Sequence, residues 1–85
     1  MSLETRQADD KLIRIFSRMF GLEATDVSDE ASVHTIEGWD SLKHINLMLA
    51  IEEEFGVSLT PEEVETMISV GLIKDVLKGH GVLVK

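Results

Sequence analysis

A chain of 85 residues holds one compact domain that buries roughly 60% of its unfolded surface, too little for a deep cleft walled by two lobes. Sixteen acidic residues against eight basic ones give a formal charge of −8, which disfavours nucleic acid and anionic membrane surfaces and favours basic protein surfaces, besides keeping the chain soluble. With no cysteine, disulfides, thiolate catalysis and cysteine-ligated metals are excluded.

A hydrophobic content of 44% is too high for a disordered chain. No basic-then-apolar leader opens the sequence and no apolar run approaches the ~18–20 residues that span a bilayer, so a cytoplasmic protein is expected. The first periodic segment covers about residues 4–20. Leu12, Ile13, Phe16, Met19 and Phe20 recur at spacings of three and four, one face of an amphipathic helix. Asp9 and Asp10 near its start and Arg14 and Arg18 near its end suit the helix dipole, and Gly21 is a natural stop.

Residues 21–39 form a long connection rich in Asp, Ser, Thr and Gly, with Val27, Val33 and Ile36 as anchors to the core. A structureless loop of that length is uncommon in a compact domain, so a turn or short helix is expected near residues 28–32. The second helix begins at Asp40 or Ser41 and ends at Phe55, before Gly56. Leu42, Ile45 and Leu49 form one apolar stripe and Met48, Ile51 and Phe55 another, which with Leu47 and Ala50 predict a central helix packed on several sides.

Thr60-Pro61-Glu62-Glu63 is a helix start: Thr60 as N-cap, Pro61 at the first position, Glu63 reaching back to the Thr60 amide. That short helix ends near Met67 or Ile68, and Ser69 then caps a fourth over residues 70–78 with Val70, Ile73, Val76 and Leu77 inward. Lys74 and Lys78 sit toward its negative end, Gly79 and Gly81 end it, and residues 82–85 form a loosely packed tail. No strand pair is evident. The predicted architecture is a small all-α bundle of three main helices and one short one.

Catalytic and metal readings find little support. Ser41 and His44 are helix neighbours, but no third orienting group or oxyanion loop accompanies them. His34, His44 and His80 lack paired ligand spacing and read as exposed surface histidines. A calcium loop counted from Asp26 places Glu37 at the twelfth position but Ala31 where glycine is required, so no metal is expected. What remains is a serine at the start of the second helix, where unpaired amides and the positive dipole end would welcome an esterified phosphate. Read without further context, Asp40 or Ser41 is only a helix cap.

Gly38-Trp39-Asp40-Ser41-Leu42, with Glu52-Glu53-Glu54-Phe55-Gly56 closing the same helix, resembles the acyl carrier protein family. The similarity extends to Ala31-Ser32-Val33, to Thr60-Pro61-Glu62-Glu63 and to Ile68-Ser69-Val70, and so covers essentially the whole chain as one carrier domain, with its core at about residues 4–79. It implies a four-helix acyl-carrier-like bundle and no catalytic activity. It also implies that Ser41 bears a covalent 4′-phosphopantetheine, installed from coenzyme A by a phosphopantetheinyl transferase, whose thiol holds acyl groups as thioesters. Asp40 and Leu42 match the positions flanking that serine. Ile45, Leu49, Glu52 and Glu53 match positions read by acyl-loading and acyl-processing enzymes with basic docking patches. A monomer is the default.

Lys43 and Asn46 depart from the pattern, since carriers of general fatty-acid synthesis usually have acids there. Trp39 stands where a small residue is typical, and His44 adds a further difference. These departures resemble stand-alone carriers of specialised lipid, polyketide, peptide or cell-surface glycan pathways. The rival expectation is an acidic helical interaction module in which Ser41 is only a cap.

Overall fold

In a computed structural model the described residues are 7–82, with side chains described from Asp10 onward. The helices are α1 (Gln7–Phe20), α2 (Ser41–Phe55), α3 (Pro61–Thr66) and α4 (Val70–Gly79). No strand occurs among the described residues. The part of the expected first helix before Gln7 lies outside them, as does most of the tail.

Helix α1 turns Leu12, Ile15 and Phe16 fully inward, with Ile13, Met19 and Phe20 half-buried beside them. Ile15 was not among the expected inward positions; the buried stripe is wider than its spacing of three and four suggests. At the C-terminus Gly21 takes φ 69° and its amide donates to the Ser17 carbonyl at 2.9 Å, the left-handed ending that glycine adopts cheaply.

The connection from Gly21 to Asp40 has the expected turn near residues 28–32 and the expected anchors, Val27 and Ile36 buried and Val33 half-buried, with a helical turn elsewhere. Its one helical turn is a 3₁₀ segment at Ala24–Asp26, where the Glu23 amide donates to the Asp26 carboxylate at 3.2 Å. At residues 28–32 there is no helix but a single turn, closed by the Ala31 amide on the Ser28 carbonyl. The reason is non-local. The Ala31 carbonyl accepts from the Val70 amide at 2.9 Å, the Val33 amide donates to the Ile68 carbonyl at 3.1 Å, and the Asp29 carbonyl accepts from the Gly71 amide at 3.0 Å. Ser32 and Ser69 thereby form an isolated antiparallel bridge. Backbone groups spent on α4 cannot also close a helix ladder. Gly71 permits this approach: a Cβ there would stand 3.2 Å from the Asp29 carbonyl oxygen.

Helix α2 contributes Leu47, Met48 and Ile51 to the core, and ends at Gly56 with φ 67° and ψ 37°. The expected packing of both apolar stripes does not occur. Leu42, Ile45 and Leu49 are 70%, 56% and 58% exposed, so one apolar stripe packs and the other faces solvent. Helix α3 has the reciprocal cap anticipated at Thr60 and Glu63, with bonds of 3.1 and 3.0 Å. Ser69 caps α4 through the Leu72 amide, and Val70, Ile73 and Leu77 are fully buried, with Val76 half-buried. Among the described residues no helix is long and apolar enough to cross a membrane.

Candidate functional site

The candidate site is the start of α2. Asp40 has extended backbone (φ −105°, ψ −172°) and its Oδ1 accepts from the Lys43 amide at 2.9 Å, so Asp40 is the N-cap. Its own carbonyl accepts from the His44 amide at 2.8 Å, the first bond of the helix ladder. Ser41 is the first helical residue and is exposed. Of the two caps the sequence offered, the structure uses Asp40, and Ser41 as a cap is corrected here: the acid before it already holds the amide that a capping hydroxyl would take. Among the described residues the Ser41 hydroxyl, and the amides of Ser41 and Leu42, have no hydrogen-bond partner. No acid stands in the first turn of α2. Exposed donors at the positive end of a fifteen-residue helix suit an anion, and the free hydroxyl beside them suits a phosphate ester.

Trp39 fixes where this helix starts. It is 5% exposed, with Phe16 meeting it edge-on at 5.3 Å between ring centroids and Phe20 tilted against it at 5.8 Å. A buried indole N–H needs an acceptor, and Trp39 Nε1 donates to His44 Nδ1 at 3.0 Å. On its other side His44 Nε2 lies 2.7 Å from the Val64 carbonyl of α3. A carbonyl only accepts and an indole N–H only donates, so the pattern assigns the Nε2–H tautomer to His44. His44 is thus half-buried and structural, which corrects its reading as a surface histidine; His34 and His80 are exposed as expected. Neither ring nitrogen of His44 is left to take a proton from Ser41, which removes the nucleophile-and-base pairing. Sequence reasoning noted both residues only as departures from the family pattern and missed the bond between them. The usable signal was a lone tryptophan, which if buried must find a partner, with an imidazole five positions on.

Between Ser41 and this pair runs an open groove of about 290 Å³ lined by Val33, Trp39, Asp40, Ser41, His44 and Ile68. Farther along α2, Leu42, Ile45, Leu49 and Glu53 lie on the exposed face. Glu52 does not share that freedom: it is half-buried and its Oε2 accepts from the Leu59 amide at 2.8 Å, fastening the α2–α3 connection. The family model for a phosphopantetheine attachment site matches residues 10–77, most of the chain. The chain belongs to the acyl carrier protein family. It is 35% identical over 71 residues to the acyl carrier protein of Clostridium acetobutylicum, covering 84% of this chain and 92% of that protein. It is 33% identical over 72 residues to the acyl carrier protein of Buchnera aphidicola subsp. Baizongia pistaciae, covering 85% of this chain and 92% of the relative. Members of the family are carriers, and their covalently attached cofactor is 4′-phosphopantetheine. The residues around Ser41 fit it: an exposed hydroxyl, two free amides at the positive helix end, and an open groove of about 290 Å³ alongside.

Proposed function

We propose that this chain, as a single carrier domain over about residues 4–79, holds acyl groups as thioesters on a phosphopantetheine arm esterified to Ser41. It presents them to partner enzymes and performs no catalysis itself. The observation that carries the reading is the unpartnered, exposed Ser41 hydroxyl at a helix start that Asp40 already caps. When bound, the cofactor supplies the thiol that this cysteine-free chain lacks. The protein supplies a hydroxyl held clear of the fold, amides and a helix dipole that favour the phosphate, and a docking face. That face is the stripe of Leu42, Ile45 and Leu49 with Glu53 at its far end, read by transferase and acyl-processing enzymes through apolar sockets flanked by basic residues. Lys43 and Asn46 put a cation and an amide on exposed positions where a partner of general fatty-acid synthesis would meet acids. This supports a specialised lipid, polyketide or related pathway.

The test is intact-mass spectrometry after incubation with coenzyme A and a broad-specificity phosphopantetheinyl transferase. One phosphopantetheinyl mass is expected on the wild-type chain and none on Ser41→Ala. An unchanged wild-type mass beside a competent control carrier, or a gain that survives in Ser41→Ala, overturns the assignment.

A further inference from the structure

One imidazole holds three segments together. His44 accepts from Trp39 in the loop that delivers Ser41, belongs itself to the first turns of α2, and donates to Val64 in the last turns of α3. Helix α3 has only six residues, and the Val64 carbonyl lies near its C-terminal end, where intrahelical donors run out. Its other acceptor contact there is the Met67 amide at 3.4 Å, a weak bond beside the 2.7 Å one from His44. The indole stacks with the imidazole at 6.0 Å and 29°, so the ring is held in plane as well as at its edges. The same ring lines the groove beside Ser41.

A flexible apolar chain tethered at Ser41 would have two ways to leave water. One is the outer groove, whose apolar walls are Val33, Ile68 and the Trp39 ring. The other is the bundle interior, where Leu47, Met67, Ile73 and Leu77 are fully buried and where each methylene taken out of water would favour insertion. Parting α2 from α3 beside Ser41 breaks the His44–Val64 bond. Displacing the imidazole also leaves the Trp39 N–H without its acceptor, buried against Phe16 and Phe20. Orphaned buried donors and acceptors carry their full desolvation cost, and that cost opposes the gain from burying the chain.

We propose that His44 determines where the cargo rests: it bolts α2 to α3 and keeps a chain attached at Ser41 in the outer groove, so that the thioester stays open to solvent whatever the length of the acyl group. The proposal rests on the reading of Ser41 as the attachment point.

The experiment loads the full chain with acetyl-, hexanoyl- or decanoyl-phosphopantetheine from the corresponding coenzyme A thioesters, with loading verified by mass. The rate of thioester cleavage by hydroxylamine is then measured. In the wild type the decanoyl and acetyl rates should agree to within about threefold; in His44→Val the decanoyl thioester should be protected by more than that; His44→Gln, whose amide can both donate and accept, should behave as the wild type. Length-dependent protection above about threefold in the wild type, or none in a folded His44→Val, overturns the proposal. If His44→Val does not fold, ¹⁵N NMR of the imidazole in the decanoyl-loaded wild type decides. A retained Nε2–H tautomer with the acetyl form's shifts supports the bolt, and its loss overturns it. Absence of loading, or loading that persists in Ser41→Ala, shows instead that the Ser41 reading has failed and takes this inference with it.

Discussion

The Asp40 carboxylate accepts from the Lys43 amide at 2.9 Å, while the hydroxyl next to it accepts from nothing. The two neighbours therefore respond differently to truncation. Asp40→Ala removes a cap and should cost about 1 kcal/mol in urea denaturation. Ser41→Ala removes an exposed, unpartnered hydroxyl at a helical position and should change stability by less than about 0.5 kcal/mol while abolishing modification. Equal losses in the two variants would mean that the cap is shared and that the hydroxyl is not free. The sequence motif made Ser41 legible as the candidate site, but not which residue caps, because Asp and Ser are both good caps and the backbone angle at Asp40 chooses between them. Trp39 and His44 were illegible for a related reason. Their bond depends on the loop bringing the indole back over the first turns of α2, a path fixed by Phe16 and Phe20 on another helix.

Helix α3 is too short to stand on propensity alone, and its ends show how it is held. At the N-terminus the Thr60 amide donates to Glu63, whose carboxylate also lies 3.0 Å from Nε2 of His80 beyond α4. The Thr60 backbone bond first, and the bond from His80 second, hold the Glu63 carboxyl below its ordinary value of 4.5. A carboxylate depressed in the folded state adds stability that is fully present above its unfolded pKa and is lost as pH falls through the folded one. Glu63→Gln preserves the shape and removes the charge. The wild type should therefore be the more stable of the two above pH 4.5, with the difference vanishing as the pH falls below that value. Urea midpoints across that range check it, and a pH-independent difference would assign the effect to geometry alone. At the end of α2, Gly56 sits at φ 67° with open space where a Cβ would go. Gly56→Ala should cost about 1 kcal/mol from backbone strain alone, read from the same denaturation curves. These caps were legible because they are local: Thr60-Pro61-Glu62-Glu63 and Ser69 carry their partners within three residues. In the 21–40 connection only the turn and its apolar anchors were legible, since the bonds that fasten residues 29–33 go to residues 68–71, some forty residues away in sequence.

Taken whole, the molecule buries one apolar stripe of α2 and leaves the other exposed, and sequence periodicity could show the two stripes but not which of them would be covered. Leu47 is fully buried and Leu49, two residues on, is 58% exposed. Leu47→Ala empties part of the core and should cost about 2–5 kcal/mol. Leu49→Ser touches nothing the fold needs and should leave stability within about 0.5 kcal/mol of wild type. Its effect belongs to association. On the proposed docking face, an exposed apolar residue is the kind of side chain whose loss raises KM for the carrier in the transferase reaction, by about tenfold for a lost contribution near 1.4 kcal/mol, with kcat little changed. Glu53→Lys on the same face acts through charge. In a molecule of net charge −8 it should slow encounter with a basic partner, most at low ionic strength, with the difference fading as salt screens the pair. The neighbouring substitution Glu52→Lys is no substitute for it, because Glu52 holds the Leu59 amide and its loss would loosen the α2–α3 connection. A KM that ignores Leu49→Ser, together with a rate that ignores Glu53→Lys at low salt, would place the docking face elsewhere on the molecule, whereas a response to both ties enzyme recognition to the stripe that folding leaves uncovered.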